Sequence, residues 1–125
     1  MGEQTDLPIE IFKTLKEIGE VKERIDTAAW RVSLIEAKQM EAILVEQNEL
    51  GKLRFPNDKA RDGELVQRLE KDPAYITAAN ELRDAKRRRD FLEATVELKR
   101  SQFRLFVLEL RGALVGKEER AEDMM

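Results

Sequence analysis

The chain contains no cysteine and no histidine. The first absence excludes disulfides, a thiol nucleophile and thiolate metal sites, and it fits a reducing compartment. The second removes the side chain that most often moves protons near neutral pH. Ser33 and Ser101 are the only serine hydroxyls, and neither has a base of the usual kind to activate it. No glycine-rich loop of the phosphate-cradling type is present, and no apolar run approaches the roughly 18 residues of a membrane span. The amino terminus, Met1-Gly2-Glu3-Gln4-Thr5-Asp6, is polar and acidic. These absences predict a cytoplasmic protein without membrane contact, without a cofactor or metal, and without enzymatic activity.

What is abundant is charge. Charged residues make up 39% of the 125, with 26 acidic and 23 basic side chains and a net charge of −3. Average globular proteins carry about a quarter. High mixed charge together with only 3 prolines and 6 glycines is the signature of long helices or coiled coils. It also argues against a dedicated nucleic-acid binder, which needs one dominant sign.

Proline is nearly excluded from helix interiors and tolerated in the first turn, so Pro8, Pro56 and Pro73 mark where helices begin and end. A first long helix is predicted over 9–50, opening near Thr5 or Asp6 with Pro8 in its first turn and closing at Gly51. Ile11, Ile18, Ile25 and Val32 recur every seven residues, joined by Val21, Ala28 and Ile35, which is an a/d heptad seam. At Gln39 the seam turns polar, and the stripe moves to Met40, Ile43, Leu44 and Leu50. A connector over 51–72 contains one short helix capped by Asn57. Asp72-Pro73 then opens a second long helix over 73–115, by the same cap-and-proline chemistry. Its seam runs through Tyr75, Ala78, Leu82, Ala85, Arg89, Leu92, Val96, Lys99, Phe103, Phe106 and Leu110. Gly112 and Gly116 weaken its end, and 117–125 is predicted to be a disordered charged tail.

The two long helices match in length, about 63–65 Å each at 1.5 Å per residue. Equal lengths favour an antiparallel hairpin, so the fold class is all-α: one coiled-coil-like hairpin domain over 1–116 with a short connector helix, assembling into a bundle. Setting Leu50 near Pro73 places Ile18 beside Phe106, Ile11 beside Ala113, Trp30 beside Ala94, and Arg89 beside Ile35 and Glu36. Arg89–Glu36 is then an expected ion pair at the seam.

Three features could carry function. Glu17, Glu20 and Glu23, and separately Glu93 and Glu97, share helix faces as Mg²⁺ ligands would, but they read as solvated faces that pair with neighbouring lysines. The run Lys86-Arg87-Arg88-Arg89 is the sharpest charge feature. Arg83, Lys86, Arg87, Arg88 and Arg100 form a candidate phosphate-binding patch, although no aromatic side chains interleave for base stacking. Finally, the segment 103–115 is apolar nearly all round, which leaves Leu105, Val107 and Leu108 in search of cover. Ile9 adds to the surplus at the same end of the first helix. A hairpin buries one stripe of each helix, so Phe12, Leu15, Ile18, Phe103, Phe106, Leu110 and Leu114 are the expected association surface, for a second copy or for another protein.

The stretch Arg54-Phe55-Pro56-Asn57-Asp58-Lys59-Ala60-Arg61, followed by Leu69-Glu70-Lys71-Asp72-Pro73-Ala74-Tyr75, resembles small helical proteins encoded by phages and prophages. In these an aromatic-Pro-Asn turn precedes a basic helix and an Asp-Pro-x-Tyr helix start. The resemblance covers about the second half of the chain and brings no catalytic residues. It implies an accessory role in phage DNA metabolism. At the matching positions Asn57 is read as a cap, Arg61 as a loop-to-helix bond and Tyr75 as a seam aromatic. The functional expectation is a non-enzymatic interaction protein that self-associates, the alternative being a nucleic-acid-binding accessory of recombination or replication.

Overall fold

The computed structural model describes residues 2–123, with side chains over 6–116. It is all-α: α1 spans Gly2–Val45, α2 Asp58–Lys71 and α3 Pro73–Asp123. The chain forms two compact units, Val21–Arg88 and the pairing of Met1–Glu20 with Arg89–Met125.

The unit Val21–Arg88 is a helical hairpin. Val21, Ala28 and Ile43 are buried along α1, with Ile25, Val32 and Ile35 half-buried between them. Tyr75, Ala78, Leu82 and Ala85 present the facing stripe of α3. Spacings alternating between three and four residues hold both stripes on one side of each helix. Arg31 Nη1 meets Glu81 Oε2 at 3.2 Å, and Gln39 Nε2 donates to Asp72 Oδ2 at 3.0 Å. Gln39, the polar interruption of the seam, therefore holds the carboxylate that also caps α3, where Asp72 Oδ1 accepts from the Ala74 amide at 3.0 Å. These bonds keep the Asp72 carboxyl below the usual range, Gln39 contributing most.

The register differs from the one the sequence suggests, because α1 stops at Val45 and not at Leu50. Beyond it the chain makes a bridged turn. Arg54 N donates to Glu46 O at 2.9 Å and Asn48 N to Lys52 O at 2.7 Å, while the Asn48 side chain accepts from the Leu50 and Lys52 amides. Gly51, at φ 74°, sits in this turn in the left-handed region that glycine adopts without strain. It is Gln39 that meets Asp72, and Leu50 lies 82% exposed. Trp30, expected against Ala94, is 68% exposed. Arg89 donates to Asp90 Oδ1, where Glu36 was the expected partner.

The connector is tied down by charge. Arg68 donates to Glu64 at 2.8 Å and to Glu46, and Arg54 donates to the other oxygen of Glu46 at 2.7 Å. Both guanidinium groups lie over the Phe55 ring, 5.1 and 5.7 Å from its centroid. The Arg68 and Arg54 hydrogen bonds hold the Glu46 carboxyl below its ordinary value, and Glu64 and then Glu46 raise that of Arg68. Asn57 caps α2 by accepting from the Ala60 amide at 2.8 Å, and Arg61 reaches back to the Phe55 and Pro56 carbonyls. The cap and the loop-to-helix bond are as the sequence predicts, and Tyr75 lies half-buried in the seam.

In the second unit, Leu7, Ile11, Thr14 and Ile18 of α1 form one stripe, and Leu92, Val96, Lys99, Phe103 and Phe106 of α3 the other. Buried Thr14 satisfies its hydroxyl by donating to the Glu10 carbonyl at 2.8 Å. Lys99 Nζ lies 3.8 Å from Glu10 Oε2, so Glu10 sits by Lys99, and the predicted pairing of Ile11 with Ala113 is displaced by several turns. Helix α1 begins at Gly2 with Pro8 inside it, earlier than expected. Carrying the helix through Pro8 extends the heptad seam back to buried Leu7, and that burial, about 1.5–3 kcal/mol, offsets much of the roughly 3 kcal/mol a proline costs inside a helix. Helix α3 runs on through Gly112 and Gly116 to Asp123, where a disordered tail was expected from 117. The reason is that Lys117-Glu118-Glu119-Arg120-Ala121 are good helix formers with no proline to stop them. Met124 and Met125 lie outside the described residues.

Candidate interaction surface

In the unit formed by Met1–Glu20 and Arg89–Met125, the seam uses one stripe of each helix and leaves the others to solvent. On α1, Ile9, Phe12 and Leu15 are exposed, Phe12 by 69%. Ile18 is corrected: it is only 6% exposed, sealed in the seam, because it repeats seven residues after Ile11 and faces α3. Phe103 and Phe106 are half-buried, their ring centroids 6.5 Å apart at 43°, so they belong to the seam and contribute only an edge to the surface. Leu114 is exposed, and so is Leu110, which the sequence traces as the end of the α3 seam. The structure adds Leu98 to them, and joins it to Leu105 and Leu108 on the outer side of α3. Leu98 was hidden in sequence by its charged neighbours Glu97, Lys99 and Arg100. The signal that finds it is its spacing of seven from Leu105.

Beside this outer face lies a groove of about 420 Å³ lined by Arg100, Phe103, Arg104, Val107, Leu108 and Arg111. Its floor is apolar and its rim cationic. Arg100 donates to Glu97 at 3.1 Å, whereas Arg104 and Arg111 make no ion pair among the described residues. A second groove, of about 440 Å³, lies in the other unit between Arg31 and Leu34 of α1 and Pro73, Thr77 and Glu81 of α3.

Arg83, Lys86, Arg87 and Arg88 end the unit Val21–Arg88, and Arg100 belongs to the other unit. Arg83 lies 3.8 Å from Asp84, an exposed pair of little energetic weight, and Lys86 and Arg87 are exposed. Among the described residues no three carboxylates converge as metal ligands would, and no helix is long and apolar enough to cross a membrane. Scans of this chain against protein-family models, curated proteins and solved structures find no match.

Proposed function

We propose that this chain is a non-enzymatic cytoplasmic interaction protein, an accessory of the phage-encoded kind its sequence resembles, that self-associates into a helical bundle. The observation that supports this reading is the apolar surface of the unit holding both termini, where Phe12, Leu15, Leu98, Leu105, Leu108 and Leu110 are all exposed. Large exposed apolar patches on a soluble protein mark sites of association. Burying each Leu or Phe contributes about 1.5–3 kcal/mol, and several of them together offset the roughly 4–15 kcal/mol that association costs. Light scattering during size-exclusion chromatography tests it. The expected result at micromolar concentration is a dimer or larger species, weakened by Leu105→Asp and unchanged by Leu44→Asn in the other unit. A monomeric wild-type chain would refute self-association.

A second reading draws on exposed Lys86 and Arg87, which make no ion pair among the described residues. As a phosphate-binding strip, with Arg83 and Arg88, they would give DNA or RNA binding that falls steeply with salt. Replacing Lys86 and Arg87 by Glu would abolish it with the helical circular dichroism intact. No binding at low salt eliminates this reading.

A further inference from the structure

In the unit Met1–Glu20 with Arg89–Met125, α3 carries two seams. The inner one faces α1. The outer one reads Phe91, Ala94, Leu98, Ser101, Leu105, Leu108, at spacings of three, four, three, four and three, and every member is exposed. Such alternation holds a stripe on one face over more than two heptads and is the requirement for a coiled-coil contact. Four of its members, Phe91, Leu98, Leu105 and Leu108, are large and apolar, more than a merely solvated face carries.

We propose that a second copy of this chain docks along this outer seam in antiparallel orientation, with Glu97 of each copy facing Arg104 of the other. The inference rests on the self-association reading and gives it a surface, an orientation and a register.

Charge decides the orientation. Asp90, Glu97, Arg104 and Arg111 follow one another at seven-residue intervals along one edge of the seam, two acidic and then two basic. In an antiparallel pair this edge meets its own reverse, so Asp90 faces Arg111 and Glu97 faces Arg104, each twice by symmetry. A parallel pair would set Asp90 and Glu97 against uncharged Thr95 and Gln102, leaving only Arg104 beside Glu109. Arg100 engages Oε1 of Glu97 and Arg89 engages Oδ1 of Asp90, so each carboxylate keeps its second oxygen for the other chain.

Packing selects the same register independently. With Glu97 opposite Arg104, Leu98 falls beside Ser101, Leu105 beside Ala94, and Phe91 beside Leu108. Two of these three layers match a large side chain to a small one, which a seam needs to fill its volume evenly. A slip of one heptad in one direction sets Arg104 against Arg104 at the two-fold axis, and in the other sets Glu97 against Glu97. Arg104 and Arg111 also rim the groove beside Phe103, Val107 and Leu108, which places the cationic edge next to apolar surface that the second copy would cover.

The absence of native cysteine makes the test clean. Full-length Ala94→Cys and Leu105→Cys chains, mixed and mildly oxidised, are expected to form a disulfide-linked dimer of one with the other, while neither links to itself. Glu97→Arg alone is expected to weaken the dimer about tenfold or more at low salt, and Glu97→Arg combined with Arg104→Glu to restore it to within about threefold. A wild-type dimer in which Ala94→Cys chains link to each other, or in which the combined exchange fails to restore association, overturns this interface and leaves self-association standing. A monomeric wild type overturns both.

Discussion

The two units solve the problem of pairing α1 with α3 differently. In Val21–Arg88 specific polar contacts add to the packing: Arg31 to Glu81 and Gln39 to Asp72 between α1 and the start of α3, and the Glu46–Arg54–Arg68–Glu64 network over Phe55 in the connector. In the unit of Met1–Glu20 and Arg89–Met125, the described cross-helix ion pair is Glu10–Lys99 at 3.8 Å, and an apolar seam carries the rest. Large apolar residues nevertheless remain outside that seam. Directional bonds fix the register of such a packed pair, because their partners fit only one way. Two helices that rely on apolar burial gain stability in proportion to area covered, and they leave unburied stripes available to another chain. Both units leave large apolar side chains exposed, Trp30 and Leu50 in the first and Phe12 and Leu105 in the second, and in the second they include the heptad stripe Phe91, Leu98 and Leu105.

The sharpest way to break this comparison is to remove packing where it is complete. Ile43 is fully buried in the first unit, so Ile43→Ala is expected to cost about 2–5 kcal/mol of unfolding free energy. Exposed Leu114→Ala in the second unit is expected to change it by no more than about 0.5 kcal/mol. Urea denaturation followed by circular dichroism measures both, and similar losses for the two would show that the difference in burial has no energetic counterpart.

Acid sharpens it next. Glu46 and Asp72 have carboxyl pKa values lowered in the folded state, by Arg68 with Arg54 and by Gln39 respectively. Their stabilisation is therefore fully present above the ordinary carboxylate range, near about 4, and is lost as pH falls through their depressed values. Amide protection in α2 and at the start of α3 is expected to drop below this range. Glu46→Gln should lower protection at neutral pH and flatten the acid loss around α2, as hydrogen exchange at successive pH values would reveal. An unchanged acid profile in Glu46→Gln would assign the loss to other carboxylates.

The smallest expected effect is at the α2 cap. Asn57→Ala removes the acceptor for the Ala60 amide and is expected to cost about 1 kcal/mol, against a few tenths for Asn57→Gly. Thermal melts of the two variants would separate loss of the cap bond from a general disturbance of the turn.

Much of the fold was legible because it rests on local chemistry. The heptad positions from Ile11 to Ile35 and from Tyr75 to Phe106 lie in the seams, since spacing along a helix fixes direction around it. Asn57 and Asp72 cap because their side chains need only reach amides two or three residues away. Leu98 lies outside the seam the sequence predicts, so its exposure follows from that stripe, and its charged neighbours Glu97, Lys99 and Arg100 concealed it.

Alone, the sequence determined that the chain is helical, where α2 and α3 begin, and which face of each long helix is buried, because periodicity and capping act within a few residues. Tertiary structure decided where α1 ends, which residue of α1 meets which residue of α3, and which apolar side chains are left over. Register between two long helices is degenerate in steps of a heptad. The choice is made by contacts far apart in sequence, Gln39 with Asp72 and Glu46 with Arg68, which exist only once the turn over 46–57 has folded back.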